Sequence, residues 1–450
     1  MPTTPSPSAH YVRTALDTIA GYTRYVKCIL RGIGLRNAAR PANTRHLLLL
    51  AWFFPPTISG GVYRPLSFAR RAAELGWQVT VIAGPAPQHI SSAGEHLLGG
   101  LPSSVRVLRI PESKLKPSYR LFPRIDGGFG NVIETLEQAD ASAIPPPSVV
   151  LASGPPFHNF VAGWHLSRRF NAPLVLDYRD EWTQCPFEFV RLGSADSRWE
   201  LKCLEHAASI VFTTRSFMRQ AHTAFPSADQ KKFIHIPNGF EPGDLPPEEE
   251  SLPPATQSDT VQLAFLGALG PHTPADSFLN TVKQLLESEP VWRTRLRVQF
   301  VGQRHRSVEP ALSDSSLADI ISLRDQVSKP AAIRIMRESG ALIAFNPPAL
   351  ERYIPGKLFD YIASGRPILV YGDGGEVASI VKELDAGIIV PENDVARLRD
   401  ALMQLAAKTA AVGNGNGKRE QWLRRHERAA LADQLLQHIV TLLPSGATQK

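Results

Sequence analysis

Cysteine is scarce in this chain of 450 residues: Cys28, Cys185 and Cys203 are all it has. An odd, scattered set excludes a disulfide framework, and none of the three stands at metal-ligand spacing. A reducing compartment is expected. The chain also lacks any run of about 18 uncharged apolar residues, so no segment is expected to span a bilayer. Its N-terminus lacks the short apolar core and small-residue cleavage site of an exported protein, which points to a cytoplasmic location. Basic residues are not spread over a module with interleaved stacking aromatics, so no nucleic-acid partner is expected.

What is present is a globular composition, 43% hydrophobic and 20% charged, in a chain too long for one ordinary core. The net charge of +7 is concentrated at one end. Residues 1–45 hold seven Lys/Arg against Asp17 alone, which leaves the rest of the chain near neutral.

Apolar, β-rich runs recur with helical segments between them: "HLLLLAWFF" (46–54), "WQVTVIAG" (77–84), "VRVLRI" (105–110), "SVVLASG" (148–154), "PLVLDYRD" (173–180) and "SIVFTT" (209–214). Continuous rather than alternating hydrophobicity suits parallel strands buried on both faces. The Pro- and Glu-rich stretch 241–259 then reads as an exposed linker. After it the rhythm restarts with "VQLAFLG" (261–267), "LRVQFVG" (296–302), "GALIAF" (340–345), "PILVYG" (367–372) and "AGIIVP" (386–391). The expectation is an α/β protein of two doubly wound, Rossmann-like domains, 46–240 and 260–417, with opposed strand ends forming a cleft. A basic extension, 1–45, precedes them. "GNGNG" (413–417) is a break before a terminal helix and tail, 418–450.

Three stretches carry candidate chemistry. In "FFPPTISGGVYRPLSFARRAAELG" (53–76), Gly60 and Gly61 stand before an amphipathic helix. Paired glycines let backbone amides approach a phosphate, although the same pair also makes a plain turn. In "IPGKLFDYIASGRPILVYG" (354–372), a helix opens with Lys357, where a cation opposes the helix dipole. An anion gripped by Lys357 and the amides near Lys357 and Leu358 explains that choice, with Asp360 one turn on placed to accept paired ribose hydroxyls. A plain Lys–Asp surface pair explains it equally. In "LVLDYRDEW" (174–182), Asp177, Arg179 and Asp180 gather at a strand end, as acceptor-binding or acid–base groups or as an Arg–Asp network fixing the loop. His158, opening a helix after "SGPPF", is placed to orient a hydroxyl or simply to pack.

The N-terminal stretch 11–33, "YVRTALDTIAGYTRYVKCILRGI", sets Arg13, Arg24, Lys27 and Arg31 on one helical face. Val12, Leu16, Ile19, Tyr22, Val26, Ile29 and Ile33 occupy the opposite face. This is the pattern of an interfacial helix on an anionic membrane, and a helix packed on the first domain is the alternative. Gly21 and Gly32 weaken the helix.

Taken in order, "FPPTISGGVYRPLSFARRAAELGWQVTVIA", "SGPPFHNFVAGWHLSRRFNAPLVLDYRDEWTQ", "HIPNGFE", "FLGALG" and "IPGKLFDYIASGRPIL" resemble the family-4-type (group 1) glycosyltransferases of the two-domain GT-B fold, over about residues 46–440. The resemblance implies a nucleotide-sugar donor held mostly by the second domain, with Lys357 on the diphosphate and Asp360 on the ribose. Gly60 and Gly61 would close over the phosphates, and Gly267 of "FLGALG" belongs to the donor-binding set. Family members often carry an acid eight residues before the ribose-binding one. That position is Arg352 here, with Glu351 one residue off register.

The resemblance also implies a retaining transfer, in which the donor's phosphate takes the acceptor proton. An inverting enzyme would need a base, and Asp180 is the candidate. No Asp-x-Asp pair is present to hold a divalent metal. Lys357 and a helix N-terminus, joined by Arg304 or Arg306, would meet the leaving-group charge instead, so no metal and no cofactor beyond the nucleotide sugar are expected. A membrane-bound N-terminal helix would imply a lipid-linked acceptor, in cell-surface polysaccharide assembly on the inner face of the membrane. The competing readings are an epimerase or hydrolase of nucleotide sugars on the same fold, and a catalytically silent nucleotide-sugar-binding scaffold.

Overall fold

In a computed structural model that describes residues 7–35, 45–244, 260–270, 273, 275–407 and 417–444, the apolar runs form two parallel sheets. The first sheet is built from β1 (His46–Ala51), β2 (Gln78–Ala83), β3 (Val105–Arg109), β4 (Val149–Gly154), β5 (Leu174–Tyr178), β6 (Ser209–Phe212) and β7 (Phe233–His235), in the order 3-2-1-4-5-6-7. The second contains β8 (Val261–Leu266), β9 (Leu296–Val301), β10 (Ile321–Arg324), β11 (Ala341–Phe345), β12 (Ile368–Tyr371) and β13 (Gly387–Val390), in the order 10-9-8-11-12-13. Both orders reverse direction once, between β1 and β4 and between β8 and β11. Ligands of doubly wound sheets bind beyond the strand C-termini at such reversals.

The continuous hydrophobicity has the expected cause. In the second sheet, Leu263, Phe265, Phe300 and Ile343 enter one core layer, while Ala264, Leu266, Val301 and Leu342 enter another. Each strand therefore needs apolar residues at consecutive positions. Eleven of the strands fall within the apolar runs, and β7 and β10 do not. Both are sheet-edge strands; β7 has three residues and β10 leaves most of its side chains in solvent, so neither requires a long apolar run.

The chain divides into two compact units, Met1–Pro237 with Leu431–Lys450, and Asn238–Ala430. The change-over thus lies just before the Pro- and Glu-rich stretch. Phe240 explains its placement: its amide donates to His426 and its carbonyl accepts from Arg428, which fixes residues 238–244 within the second unit. Most of the expected linker, 245–259, lies outside the described residues, as does "GNGN" at 413–416. The single helix expected after it is corrected to two. Lys418–Arg425 belongs to the second unit, where Trp422 stacks on Phe359. Arg428–Leu442 completes the core of the first unit with Leu431, Leu435, Leu436 and Ile439.

The N-terminal segment is a helix, Pro7–Leu35, but neither of its two expected faces is its docking face. It packs on the first unit through a third seam of Thr18, Gly21, Cys28 and Gly32. A side chain at Gly21 would collide with the Phe122 ring, and Gly32 lies against Arg169. Glycine thus weakens the isolated helix and permits its close approach. Arg24 pairs with Glu134 and Glu137, and Arg31 reaches Asp140, so the expected basic face is split. The side chain of Ile33 lies outside the described residues.

Asp177 requires a second correction. It is fully buried, and its carboxylate accepts from the Arg64 guanidinium (2.9 Å) and from Ser153, its register partner on β4 (2.9 Å). Arg64 also donates to the carbonyls of Ile236 and Pro237. The pair ties the Tyr63–Glu74 helix, β5 and the segment after β7 together, and leaves no acceptor-binding role for Asp177. Asp177→Ala would strand a buried guanidinium, a change that costs about 3–5 kcal/mol. Urea unfolding should show a loss of that order; a loss under about 1 kcal/mol would mean that the pair is not the tie described.

Candidate functional site

In the second unit the candidate site begins at the C-terminal end of β8. Gly267 follows that strand with φ +132°, and a Cβ there would lie 2.7 Å from the Lys357 ammonium. The absent side chain is what makes room for the cation. Lys357 opens the Lys357–Ser364 helix, and its Nζ sits 3.6 Å from the centroid of Phe265, on β8 itself. No described carboxylate pairs with it. Burial lowers its pKa to about 7. The ring offsets part of the desolvation, since a cation over an aromatic face gains about 0.5–2 kcal/mol.

Around this ammonium the backbone is also open. The amides of Gly356 and Lys357 donate to no described partner, whereas that of Leu358 donates to Pro355 (2.9 Å). Leu358 is therefore corrected from phosphate contact to core: its side chain is fully buried and its amide is occupied. The helix is held from both sides, by the Tyr361 hydroxyl on the backbone of Leu266 and by Arg419 on the carbonyl of Ile362. Burial pushes the Arg419 guanidinium down to about 10.

Asp360 does not pair with Lys357. Its carboxylate meets Lys329 at 2.6 Å, so the expected alternative of a Lys–Asp surface pair is not formed. Arg304 is corrected as a source of free charge: it donates to Asp325 (2.8 Å) and approaches Glu309 (3.7 Å). Glu351 is exposed at the end of the Pro348–Leu350 turn, its carboxylate against Gly374. Asn346, just beyond β11, went unremarked in the sequence; it donates to Gly374 while its buried Oδ1 has no hydrogen-bond partner among the described residues.

In the first unit the segment beyond β1 presents a comparable set of open donors. The Gly60 and Gly61 amides have no described acceptor, and the buried Ser59 hydroxyl is likewise without one. Gly60 is exposed with open space around it; Gly61 is required, because a side chain there would meet the Arg179 guanidinium. Arg179 donates to the carbonyls of Gly61 and Pro155, and Arg109 donates to those of Pro55 and Gly84. Both guanidinium pKa values are lowered, chiefly by burial. Arg179 is thereby corrected from acceptor binding to shaping the loops that follow β1 and β4. Arg109 was invisible in the sequence, where it is only the last residue of an apolar strand.

Asp180 is half-buried beyond β5, and no described group hydrogen-bonds its carboxylate. Burial raises its pKa to about 6, Arg179 opposes that shift, and Glu181 adds to it. His158 is corrected. It is fully buried, edge-on to Trp52 (4.8 Å), with neither ring nitrogen hydrogen-bonded among the described residues. Burial holds its pKa near 3, so the ring is neutral, and a side chain at Gly127 would run into it. From that position it packs against Trp52, which is the second of its two expected roles.

Two family models match the chain in tandem, a glycosyl transferase 4-like domain over residues 59–239 and glycosyl transferases group 1 over residues 260–408. No curated protein matches the sequence. Solved structures match through the fold. Sucrose-phosphate synthase from Thermosynechococcus elongatus is 16% identical, with TM-score 0.66 over 88% of this chain and 99% of that one. The α,α-trehalose-phosphate synthase (UDP-forming) from Burkholderia vietnamiensis is 12% identical, with TM-score 0.62 over 88% and 100%. Anabaena HepE in complex with UDP-glucose is 13% identical, with TM-score 0.60 over 88% and 99%. With two parallel α/β sheets in two units and both domain models in order, the chain belongs to the group 1 glycosyltransferases of the GT-B fold.

Proposed function

We propose that this glycosyltransferase takes its sugar from a nucleotide diphosphate donor bound at Lys357. The observation that carries the reading is an ammonium without a carboxylate, desolvated against Phe265 beside the open amides of Gly356 and Lys357. A diphosphate supplies the missing anion, and Asp360 exchanges Lys329 for the ribose hydroxyls. Glu351 and Gly267 complete the donor side. The Ser59–Gly61 donors of the first unit suit phosphate oxygens as well. Binding of UDP-glucose by HepE makes that compound the first donor to test.

In the proposed retaining transfer, the bond from the anomeric carbon to the donor phosphate breaks as the acceptor oxygen attacks from the same face. The departing phosphate oxygen takes the acceptor proton, so no carboxylate base is required. Should the transfer invert, Asp180 is the available base, with its pKa already raised to about 6. Protein donors meet the leaving-group charge, so the reaction runs without a metal. The acceptor is a lipid-linked glycan in cell-surface polysaccharide assembly at an anionic membrane surface. The exposed apolar stripe of the Pro7–Leu35 helix supports that choice.

Lys357 supplies the sharpest test. With a pKa near 7 it is mostly neutral at pH 8 and mostly charged at pH 6. An arriving diphosphate favours the charged form, so binding should take up close to one proton at pH 8 and much less at pH 6. Calorimetry in buffers of different ionisation enthalpy reads that uptake, and Lys357→Met should abolish it. Lys357→Ala should lower turnover about 100-fold or more, the scale of losing a preorganised charge stabiliser. Unchanged proton uptake in Lys357→Met would remove Lys357 from the donor site.

Metal independence has its own check. Turnover should persist in EDTA. Activity that disappears on chelation and returns with Mg²⁺ or Mn²⁺ would show that the charge is met by a bound cation.

A further inference from the structure

The Pro7–Leu35 helix is fixed to the first unit, yet its outward side is apolar. Val12, Leu16, Ile19, Val26 and Leu30 are each more than half exposed and share an arc of about 80° at the 100° helical repeat. They are large hydrophobic residues turned to solvent along some five turns of one helix. On one edge of the arc stand exposed Arg13 and Lys27, neither paired with any described acid; on the other stand Tyr11 and Tyr22. Beyond Tyr22 the surface continues onto the body of the unit through exposed Leu121, whose carbonyl accepts the Tyr22 hydroxyl, and Tyr119. Among the described residues no helix is long and apolar enough to cross a membrane.

We infer that this stripe lies in the acyl boundary of an anionic bilayer, with the helix parallel to the surface and Arg13 and Lys27 at the headgroups. The inference rests on the membrane-side reading above and assigns it a definite face. An unpartnered apolar arc flanked by cations on one side and tyrosines on the other matches the layering of a lipid interface. A second copy of the chain is the other possible cover, but its identical stripe carries no acid to meet Arg13 and Lys27, whereas anionic headgroups meet both. Arg24 and Arg31, engaged with Glu134, Glu137 and Asp140, bind the helix to its unit instead of to lipid. The anchor is therefore rigid: the seam at Gly21 and Gly32 sets the orientation in which the first unit meets the surface.

Removing the helix would uncover Phe122 and the acids that pair with it, so point substitutions on the exposed stripe make the cleaner test. The full chain is sedimented with vesicles of equal parts phosphatidylglycerol and phosphatidylcholine, and compared with Leu16→Asp/Ile19→Asp/Val26→Asp. Wild type should co-sediment, and the variant should bind at least about tenfold more weakly, because the acyl-facing surface is lost. Thermal stability and the shift produced by UDP-glucose should match wild type, since all three positions are exposed. High salt should weaken binding without abolishing it. Wild type that stays in the supernatant, or a variant that binds equally, overturns the inference. So does a wild-type dimer in light scattering that the variant dissolves while neither binds vesicles. A missing UDP-glucose shift with intact vesicle binding would instead count against the donor reading alone.

Discussion

A cation drawn even partly out of water must be answered by something, and how each one is answered sorts the charged residues of this protein. Arg64 has Asp177, Arg304 has Asp325, and Arg24 has Glu134 and Glu137. Each of these pairs is closed, and each joins elements of structure. Lys357, Arg179 and Arg109 have no described carboxylate and are left to an aromatic ring or to backbone carbonyls. Neutral partners return only part of the lost hydration, which is why burial lowers the pKa of all three. All three stand at or beyond strand C-termini, where a doubly wound sheet receives its ligand. Within each unit, then, the strand ends carry cations whose electrostatic balance the described residues leave unfinished.

Much of the fold was legible because two-sided burial writes itself into the sequence as continuous apolar runs. Edge strands escape that logic, and β7 and β10 carry no such mark. The terminal helices were misread for a related reason. Apolar periodicity through 418–443 shows that a helix buries a face, but not which core receives it, and Arg428–Leu442 enters the core of the first unit while the preceding helix belongs to the second.

The site was legible where a residue violates a local rule. Lys357 at a helix start and the paired glycines at 60 and 61 each cost stability where they stand, and each stands at backbone amides with no described acceptor. Residues that obey every local rule gave no such signal. Phe265 reads as ordinary core and Lys329 as ordinary surface, yet they answer the two charges expected to meet the donor. Asp177 and Asp180, three residues apart in one charged cluster, separate only in three dimensions. The carboxylate of the first is buried against Arg64 and Ser153, and that of the second stays half-open beyond the strand.

The N-terminal helix shows why two correct faces do not settle an orientation. Its wheel gives an apolar arc and a basic arc, and the natural expectation buries the first or presents the second. Packing followed shape: glycines and small residues let the helix lie close to Phe122 and Arg169, and dispersion grows steeply with such proximity. Half of the basic arc then meets acids on the Phe129–Ala141 helix, and the apolar arc is left outside. Exposure of that arc is costly in water and favourable at a lipid boundary, so the packing that fixes the helix to its unit also turns outward the face on which the inferred membrane contact rests.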